Sequence, residues 1–404
     1  MTGCTNLLEY TSERTTITPH QAPPYERPPT ELISVSNYEE FMTTILEHIM
    51  IHETEFRLIY YPYEGEDVQA EVLRASNEIL TEHPVGVYAV TSIIPDAARI
   101  VTHFEIDVII EYKRTKEQIE SIVNAATSRY MTTQLSAIMS EYREEAVFRT
   151  RLQFTEEEIT DSIRDIYYQN PRRILMMPRV AIEIFPEEGP DRIYEIKFGY
   201  IDDQSILLGY GEDLELHVRE EARQATGNTD SEIILSLARR LIDSTQFDEN
   251  IAGSIHVHGA QNYAATAFGA LVRGIAVGEG FAMAFKALCD ELRFDSRIVL
   301  GYYNGMVHAW NIVFLYGEYY HIDIAMCVVN GIETAFLKTD ADFEEMYVWD
   351  RENTVRCEGS LTLEDIVGPA DPDETEDPDE TDNPDETQDP DIFNNEQNNE
   401  EDND

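Results

Sequence analysis

The chain has 404 residues, 42% hydrophobic and 10% aromatic, which is enough apolar material for two or three ordinary globular domains. A formal net charge of −50 makes phosphate backbones and anionic lipid surfaces poor partners, so we exclude nucleic acid as a ligand. Four cysteines without CxxC spacing predict neither a metal site nor a disulfide scaffold, and no cofactor is indicated.

Residues 1–30 are polar and rich in proline, which predicts a tether. Within them, Met1-Thr2-Gly3-Cys4 resembles the end of a bacterial lipobox, whose cysteine is lipidated after signal cleavage. This resemblance implies a lipid anchor at Cys4, an extracytoplasmic location, and a membrane partner only through that anchor. The alternatives are a frayed terminus with an incidental cysteine, and a cytoplasmic location.

Residues 31–202 contain an internal repeat. FMTTILEHIM (41–50) matches YMTTQLSAIM (130–139), and the segments that follow each of them also correspond. The hydrophobic periodicity predicts two αβαββ modules, 31–120 and 121–202. Because neither module contains a close cluster of histidine, cysteine and carboxylate side chains, we expect both to serve spacing or recognition rather than catalysis.

A further domain begins at residue 203. Its sequence AVGEGFAMAF (276–285) predicts the start of a helix, which we expect to run over 281–292. A helix N-terminus lowers the pKa of a thiol and stabilises a developing oxyanion, so a cysteine nucleophile is best placed there. The residue at that position is Gly278.

The segments VHAWNIV (307–313) and YYHIDIA (319–325) flank a turn at Tyr316-Gly317-Glu318, which predicts an antiparallel hairpin. The hairpin places His308 and Asp323 as neighbours across its two strands. A histidine that accepts a proton and a carboxylate that orients it form the usual support of a cysteine or serine nucleophile.

The order of these motifs over about 231–358 resembles the bacterial transglutaminase-like superfamily, a papain-like group that uses Cys, His and Asp. The resemblance implies an α+β fold in which a papain-like transglutaminase-like domain, 203–368, follows the two modules. It also implies that His308 and Asp323 form the dyad and that Glu279 and Trp310 bind a ligand. Gly278 occupies the nucleophile position, so the dyad would be vestigial, because glycine offers no group for covalent chemistry.

Other candidate residues are weaker. His256 and His258 have the HxH spacing of metal ligands, but no further ligand is identifiable, so we expect ordinary hydrogen bonds and no metal. Cys289 is expected to be a buried apolar residue, and a disulfide between Cys327 and Cys357 stays open.

The C-terminal residues 369–404 carry repeats of the type DPDETE. Residues 371–404 hold 17 acidic residues and no lysine or arginine, which predicts a disordered tail that keeps the protein in solution.

Three functional hypotheses follow. The first is a catalytically inactive transglutaminase-like protein of the bacterial cell envelope, which binds a peptide or protein in its cleft or acts as a scaffold. The second is a working hydrolase, amidase or protease in which His308 activates a water molecule and Asp323 orients the imidazole of His308. The third is adhesion through the N-terminal modules. The oligomeric state stays open, and we expect Gly278→Cys to be tolerated unless Gly278 has a positive φ.

Overall fold

The computed structural model describes residues 33–61 and 67–368, so Cys4, the predicted tether and the predicted acidic tail lie outside the described residues. The predicted α+β class is confirmed, because helices accompany three four-stranded sheets and one two-stranded sheet within the described ranges. The described residues up to Gly359 belong to one compact unit. Within residues 33–61 and 67–368, no helix has the length and apolar character needed to span a bilayer.

The first module packs its helices against one face of a four-stranded sheet. Its elements are β1 (Ile33–Val35), α1 (Tyr38–Met50), β2 (Glu55–Tyr60), α2 (Val68–Thr81), α3 (Pro84–Ala89), β3 (Val90–Ile100), β4 (His103–Tyr112) and the connecting helix α4 (Lys116–Glu120). The strand order is β1-β2-β4-β3, with the first pair parallel and the others antiparallel. Phe41, Ile45 and Ile49 are one turn apart on α1 and are fully buried against the sheet.

The second module has the same strand order and the same pairing directions, β5-β6-β8-β7. Its elements are β5 (Val123–Asn124), α5 (Ser128–Ser140), β6 (Glu145–Thr150), α6 (Glu156–Gln169), β7 (Arg179–Phe185) and β8 (Arg192–Gly199). Helix α6 begins with a capping box, in which Thr155 and Glu158 each accept a hydrogen bond from the other's backbone N–H. Each module also has a short first strand that the predicted αβαββ pattern lacks. A strand of two or three paired residues is too short to show an alternating hydrophobic pattern in the sequence.

The third part surrounds a buried helix with a second helical layer and a sheet of order β13-β12-β11-β14, all antiparallel. Its elements are α7 (Gln204–Gln224), α8 (Asp230–Ser244), β9 (Gln246–Phe247), α9 (Glu249–Ser254), a 3₁₀ turn (Tyr263–Ala265), α10 (Ala267–Leu271), β10 (Ile275–Ala276), α11 (Gly278–Leu292), β11 (Ser296–Tyr303), β12 (Met306–Leu315), β13 (Glu318–Ile322), α12 (Ile324–Asn330), α13 (Ile332–Ala335), α14 (Asp340–Phe343) and β14 (Tyr347–Trp349). A separate unit begins at Ser360 and contains helix α15 (Leu363–Val367).

Helix α11 is the buried centre of this third part. It begins at Gly278, three residues before the predicted start, and its first eight residues, 278–285, are buried. A Cβ atom on Gly280 would lie 2.2 Å from the carbonyl oxygen of Ala264, so this helix entrance requires glycine for close backbone approach. Asn311 on β12 donates a hydrogen bond of 3.0 Å to the carbonyl of Ala282, which fixes the predicted hairpin to the helix.

Candidate functional site

The hairpin brings His308 and Asp323 together, as the sequence predicts. Strands β12 and β13 pair from Asn311 opposite Ile322 to Leu315 opposite Glu318, and the turn between them has two left-handed residues. His308 Nε2 lies 2.6 Å from Asp323 Oδ2. Because a carboxylate only accepts hydrogen bonds, the imidazole carries its proton on Nε2 and donates it. The two residues are 7% and 1% exposed.

Asp323 has two further donors. The hydroxyl of Tyr347 donates to the same Oδ2 at 2.9 Å, and the backbone N–H of Met326 donates to Oδ1 at 3.1 Å, which makes Asp323 the N-cap of α12. Burial, and then the charge of Asp323, raise the pKa of Tyr347, so this residue remains a donor at ordinary pH. Tyr347 was not identified from the sequence, since it reaches Asp323 only through the pairing of β14 with β11.

Gly278 lies directly against the imidazole of His308. A Cβ atom added at Gly278 would lie 2.3 Å from both Cε1 and Nδ1 of that ring. Gly278 is not among the residues with positive φ, so its backbone could carry a side chain. The expectation that only a positive φ would oppose a cysteine is therefore wrong: the obstacle is the ring of His308, which takes the place of the missing side chain.

Glu279, the next residue, joins three segments instead of facing a ligand. Its carboxylate accepts hydrogen bonds from the hydroxyl of Tyr168 on α6, at 2.9 Å, and from the backbone N–H of Gly259, at 3.1 and 3.2 Å. It is 4% exposed. Burial raises the pKa of Glu279 to about 7, although the hydrogen bonds from Tyr168 and Gly259 oppose that rise.

The loop between α9 and the 3₁₀ turn borders the same site. Gln261 donates hydrogen bonds to the carbonyls of Met177 and Gly199, at 3.2 and 2.7 Å, which ties this loop to the second module. Burial, and then repulsion from His308, lower the pKa of His258 to about 4. His258 is thus a neutral neighbour of His308, whereas His256 is exposed.

Trp310 is fully buried and supports a second histidine–carboxylate pair. Its indole N–H donates to His321 Nδ1 at 3.0 Å, and His321 Nε2 lies 2.9 Å from Asp340 Oδ1. Burial lowers the pKa of His321. Since an indole N–H can only donate, His321 Nδ1 carries the lone pair and Nε2 carries the proton.

The position of the proton on Nε2 of His321 bears on whether this residue can bind a metal. Within the described parts of the chain, one group of three potential ligands has all its ligand atoms within 4.8 Å of one another: His321, Asp340 and Cys357. A neutral imidazole binds a metal through a nitrogen lone pair, and here Nε2 has none. The group is better explained as a buried hydrogen-bond chain, and His256 and His258 belong to no such group in residues 33–61 and 67–368.

The described cysteines are free and buried, so Cys327 and Cys357 are not paired. Burial raises the pKa of Cys357 to about 12 and also raises the pKa of Cys289 and of Cys327. They are protonated thiols near neutral pH and unsuited to replace a nucleophile at position 278.

Comparison with known proteins gives distant structural similarity only. No protein-family model and no curated protein matches the sequence. Among solved structures, a TGase is similar at 11% identity and a TM-score of 0.26, over 59% of this chain and 65% of the other. A proposed cysteine protease from Cytophaga hutchinsonii is similar at 17% identity and a TM-score of 0.23, over 38% and 65%. For a proposed protease from Parabacteroides distasonis the values are 7% identity and 0.19, over 67% and 43%.

The chain thus spans less than two thirds of the length of each of these proteins. The similarity is too low to carry an argument about activity, which has to come from the residues of the site.

Proposed function

We propose that this chain is a catalytically inactive relative of transglutaminase-like enzymes that acts in the bacterial cell envelope by binding a peptide or protein, or as a scaffold. The observation that carries the proposal is the contact between Gly278 and His308. A side chain at position 278 would overlap the imidazole, which is itself held by Asp323. A nucleophilic side chain at position 278 therefore lacks a place beside the base.

In the proposed role the dyad is structural. His308, Asp323 and Tyr347 form a continuous chain of hydrogen bonds that joins β12, the N-terminus of α12 and β14. Buried polar groups that are hydrogen-bonded in this way help to fix the relative position of the elements that carry them. In this proposal, His308 and Asp323 are present without a cysteine at position 278 because the fold needs their hydrogen bonds.

The alternative of a working hydrolase, amidase or protease is tested by turnover. We would incubate the full chain with glutamine-containing peptides plus a primary amine, and with unmodified peptides, and compare His308→Ala with the exposed control His256→Ala. The proposal expects no turnover above the blank for any of the three proteins. Turnover that persists in His256→Ala and is lost in His308→Ala would overturn it.

The burial of the two expected ligand-binding residues argues for binding at another surface. Glu279 and Trp310, the two residues expected to bind a ligand, are 4% and 0% exposed, so a peptide could reach either of them only after the segments that cover it moved. The surfaces of the two N-terminal modules require no such movement. We therefore favour a scaffold whose contacts with partners are made mainly by the modules, which retains adhesion as the second candidate function.

We further propose that the two modules are copies of one unit. The match between residues 41–50 and 130–139, the equal strand order and the equal pairing directions support this. Strands β2 and β6 both have six residues, and each pairs with its antiparallel neighbour in the same sense.

The envelope location rests on Cys4 and needs its own test. The natural precursor should partition into detergent, and Cys4→Ser should release it into the aqueous phase. Partition that is unchanged by Cys4→Ser would count against the anchor and leave the proposal about His308 intact.

A further inference from the structure

The two module sheets can be compared position by position through their strand pairing. The third residue of β2, Arg57, pairs with Asp107, and the third residue of β6, Val147, pairs with Glu195. On the adjacent edge strands, Asp96 pairs with Asp107 and Glu183 pairs with Glu195. Each position on the outer face of the first sheet, the face opposite its helices, therefore has a defined counterpart on the second sheet.

The outer face of the second sheet is covered by the first module. Val147, Ile193 and Glu195 are 2%, 0% and 1% exposed, and the two apolar residues belong to the hydrophobic core of the first module. Arg114, at the end of the first module, lies 2.8 Å from the carboxylate of Glu195. The same guanidinium stacks over the ring of Tyr88, 5.0 Å from its centroid.

The counterpart positions on the first sheet are open. The side chains of Arg57, Glu105 and Asp107 are 37%, 39% and 43% exposed. Beside them, the directly paired residues Ile94 and Ile109 are 52% and 45% exposed. Two adjacent isoleucines on a sheet face form an apolar spot surrounded by charge, which is typical of an interaction surface rather than of a solvated edge.

The positions of the acidic residues provide a second, independent correspondence between the two sheets. Three acidic positions are shared in register between the sheets: Glu55 with Glu145, Asp96 with Glu183, and Asp107 with Glu195. On the second sheet, Arg114 and Lys197 lie against the carboxylate of Glu195, and Lys197 also lies against that of Glu183. On the outer face of the described strands of the first sheet, Arg57 is the only lysine or arginine, and acidic residues outnumber it, among them Asp96, Glu105 and Glu111.

We propose that the outer face of the first sheet docks a protein partner that presents a basic side chain next to an apolar one, in the way that Arg114 and Tyr88 are presented to the second sheet. Charge complementarity favours a basic partner surface. A second copy of this chain is disfavoured as the occupant, since two acidic faces would repel each other. This inference does not depend on the role of Gly278 and His308.

The test places a photo-crosslinking residue, p-benzoylphenylalanine, at position 94 of the full chain in cells that naturally make the protein. The matched control carries the same residue at Leu73, which is 51% exposed on helix α2. A third protein combines the label at 94 with Asp96→Lys, a charge reversal two residues away on the same exposed face. Thermal unfolding of all three checks that they are equally folded.

We expect an adduct at position 94 that is absent at position 73, attached to a partner segment that contains lysine or arginine. Asp96→Lys should lower its yield at least about fivefold, because an attraction becomes a repulsion. The proposal is overturned if labelling at 94 is no stronger than at 73, if Asp96→Lys leaves the yield unchanged, or if the adduct is a dimer of this chain.

Discussion

The imidazole of His308 stands where a side chain on residue 278 would begin, 2.3 Å from a Cβ atom built there, while its Nε2 remains 2.6 Å from Asp323. The ring therefore keeps its contact with the carboxylate of Asp323 and occupies the volume that a side chain at position 278 would need. A cysteine placed at 278 would not by itself form a catalytic pair with His308, since the thiol and the ring would compete for one volume.

Tyr347 should contribute to stability through Asp323. Tyr347→Phe removes a hydrogen bond to a buried carboxylate, and we expect it to lower the free energy of unfolding by about 1.5–3 kcal/mol. The matched control is Tyr303→Phe, whose exposed hydroxyl contacts the sulfur of Met346 at 3.8 Å and should cost less than about 0.5 kcal/mol. Chemical unfolding measures both, and equal costs would contradict a structural role for the chain from Tyr347 to His308.

Glu279 should make stability depend on pH. Its folded pKa of about 7 lies above the reference value, so its contribution is fully present at low pH and is lost as the pH rises through 7. Glu279→Gln removes that titration. Relative to the wild type, the variant should gain stability between pH 5 and pH 8 by up to about 3 kcal/mol.

The measurement is the free energy of unfolding of the two proteins at both pH values. The control is Glu212→Gln, an exposed glutamate on α7, whose difference from the wild type should stay constant over the same range. A constant difference for Glu279→Gln as well would mean that this carboxyl is less buried than the structure places it.

Arg114 pairs with the buried carboxylate of Glu195 in the second sheet. Arg57 pairs with the more exposed carboxylate of Asp107 at the matching position of the first sheet. Arg114→Ala leaves Glu195, whose side chain is 0% exposed, with only Lys197 at 3.2 Å, and we expect a loss of about 2–4 kcal/mol. Arg57→Ala opens an ion pair whose partners are 37% and 43% exposed, and should cost at most about 1 kcal/mol. Chemical unfolding that ranks the two in the opposite order would contradict the packing of the first module on the second sheet.

The sequence was most informative where local chemistry determines local structure. The turn residues Tyr316 and Gly317 fix the hairpin, and the hairpin places His308 beside Asp323 because strand pairing is set by turn position. The helical spacing of Ile159, Ile163 and Ile166 in the sequence predicts one apolar face on α6, and all three residues are buried. By contrast, the apolar residues Leu214, Leu216 and Val218 predict a shared buried face on α7, but Leu216 is 62% exposed, since it lies two residues from the buried Leu214 and so on another face.

The rest of the site could not be predicted because it depends on contacts between distant segments. Tyr168 precedes Glu279 by 111 residues, and nothing in the local pattern of either residue indicates the other. The orientation of the His308 ring also follows from tertiary packing, since glycine at 278 permits it and Asp323 enforces it. The glycine at position 278 is visible in the sequence, whereas the close approach of the His308 ring to it is not.

The most direct test of the central claim is a double-mutant cycle between positions 278 and 308, read as the free energy of unfolding. Gly278→Ala alone should cost about 1–3 kcal/mol, because the added Cβ overlaps the imidazole and forces a rearrangement. In the His308→Ala background the same substitution should cost less than about 0.5 kcal/mol, because the ring is gone and the backbone at 278 accepts a side chain. An equal cost of Gly278→Ala in both backgrounds would show that the His308 ring does not occupy the volume beside residue 278.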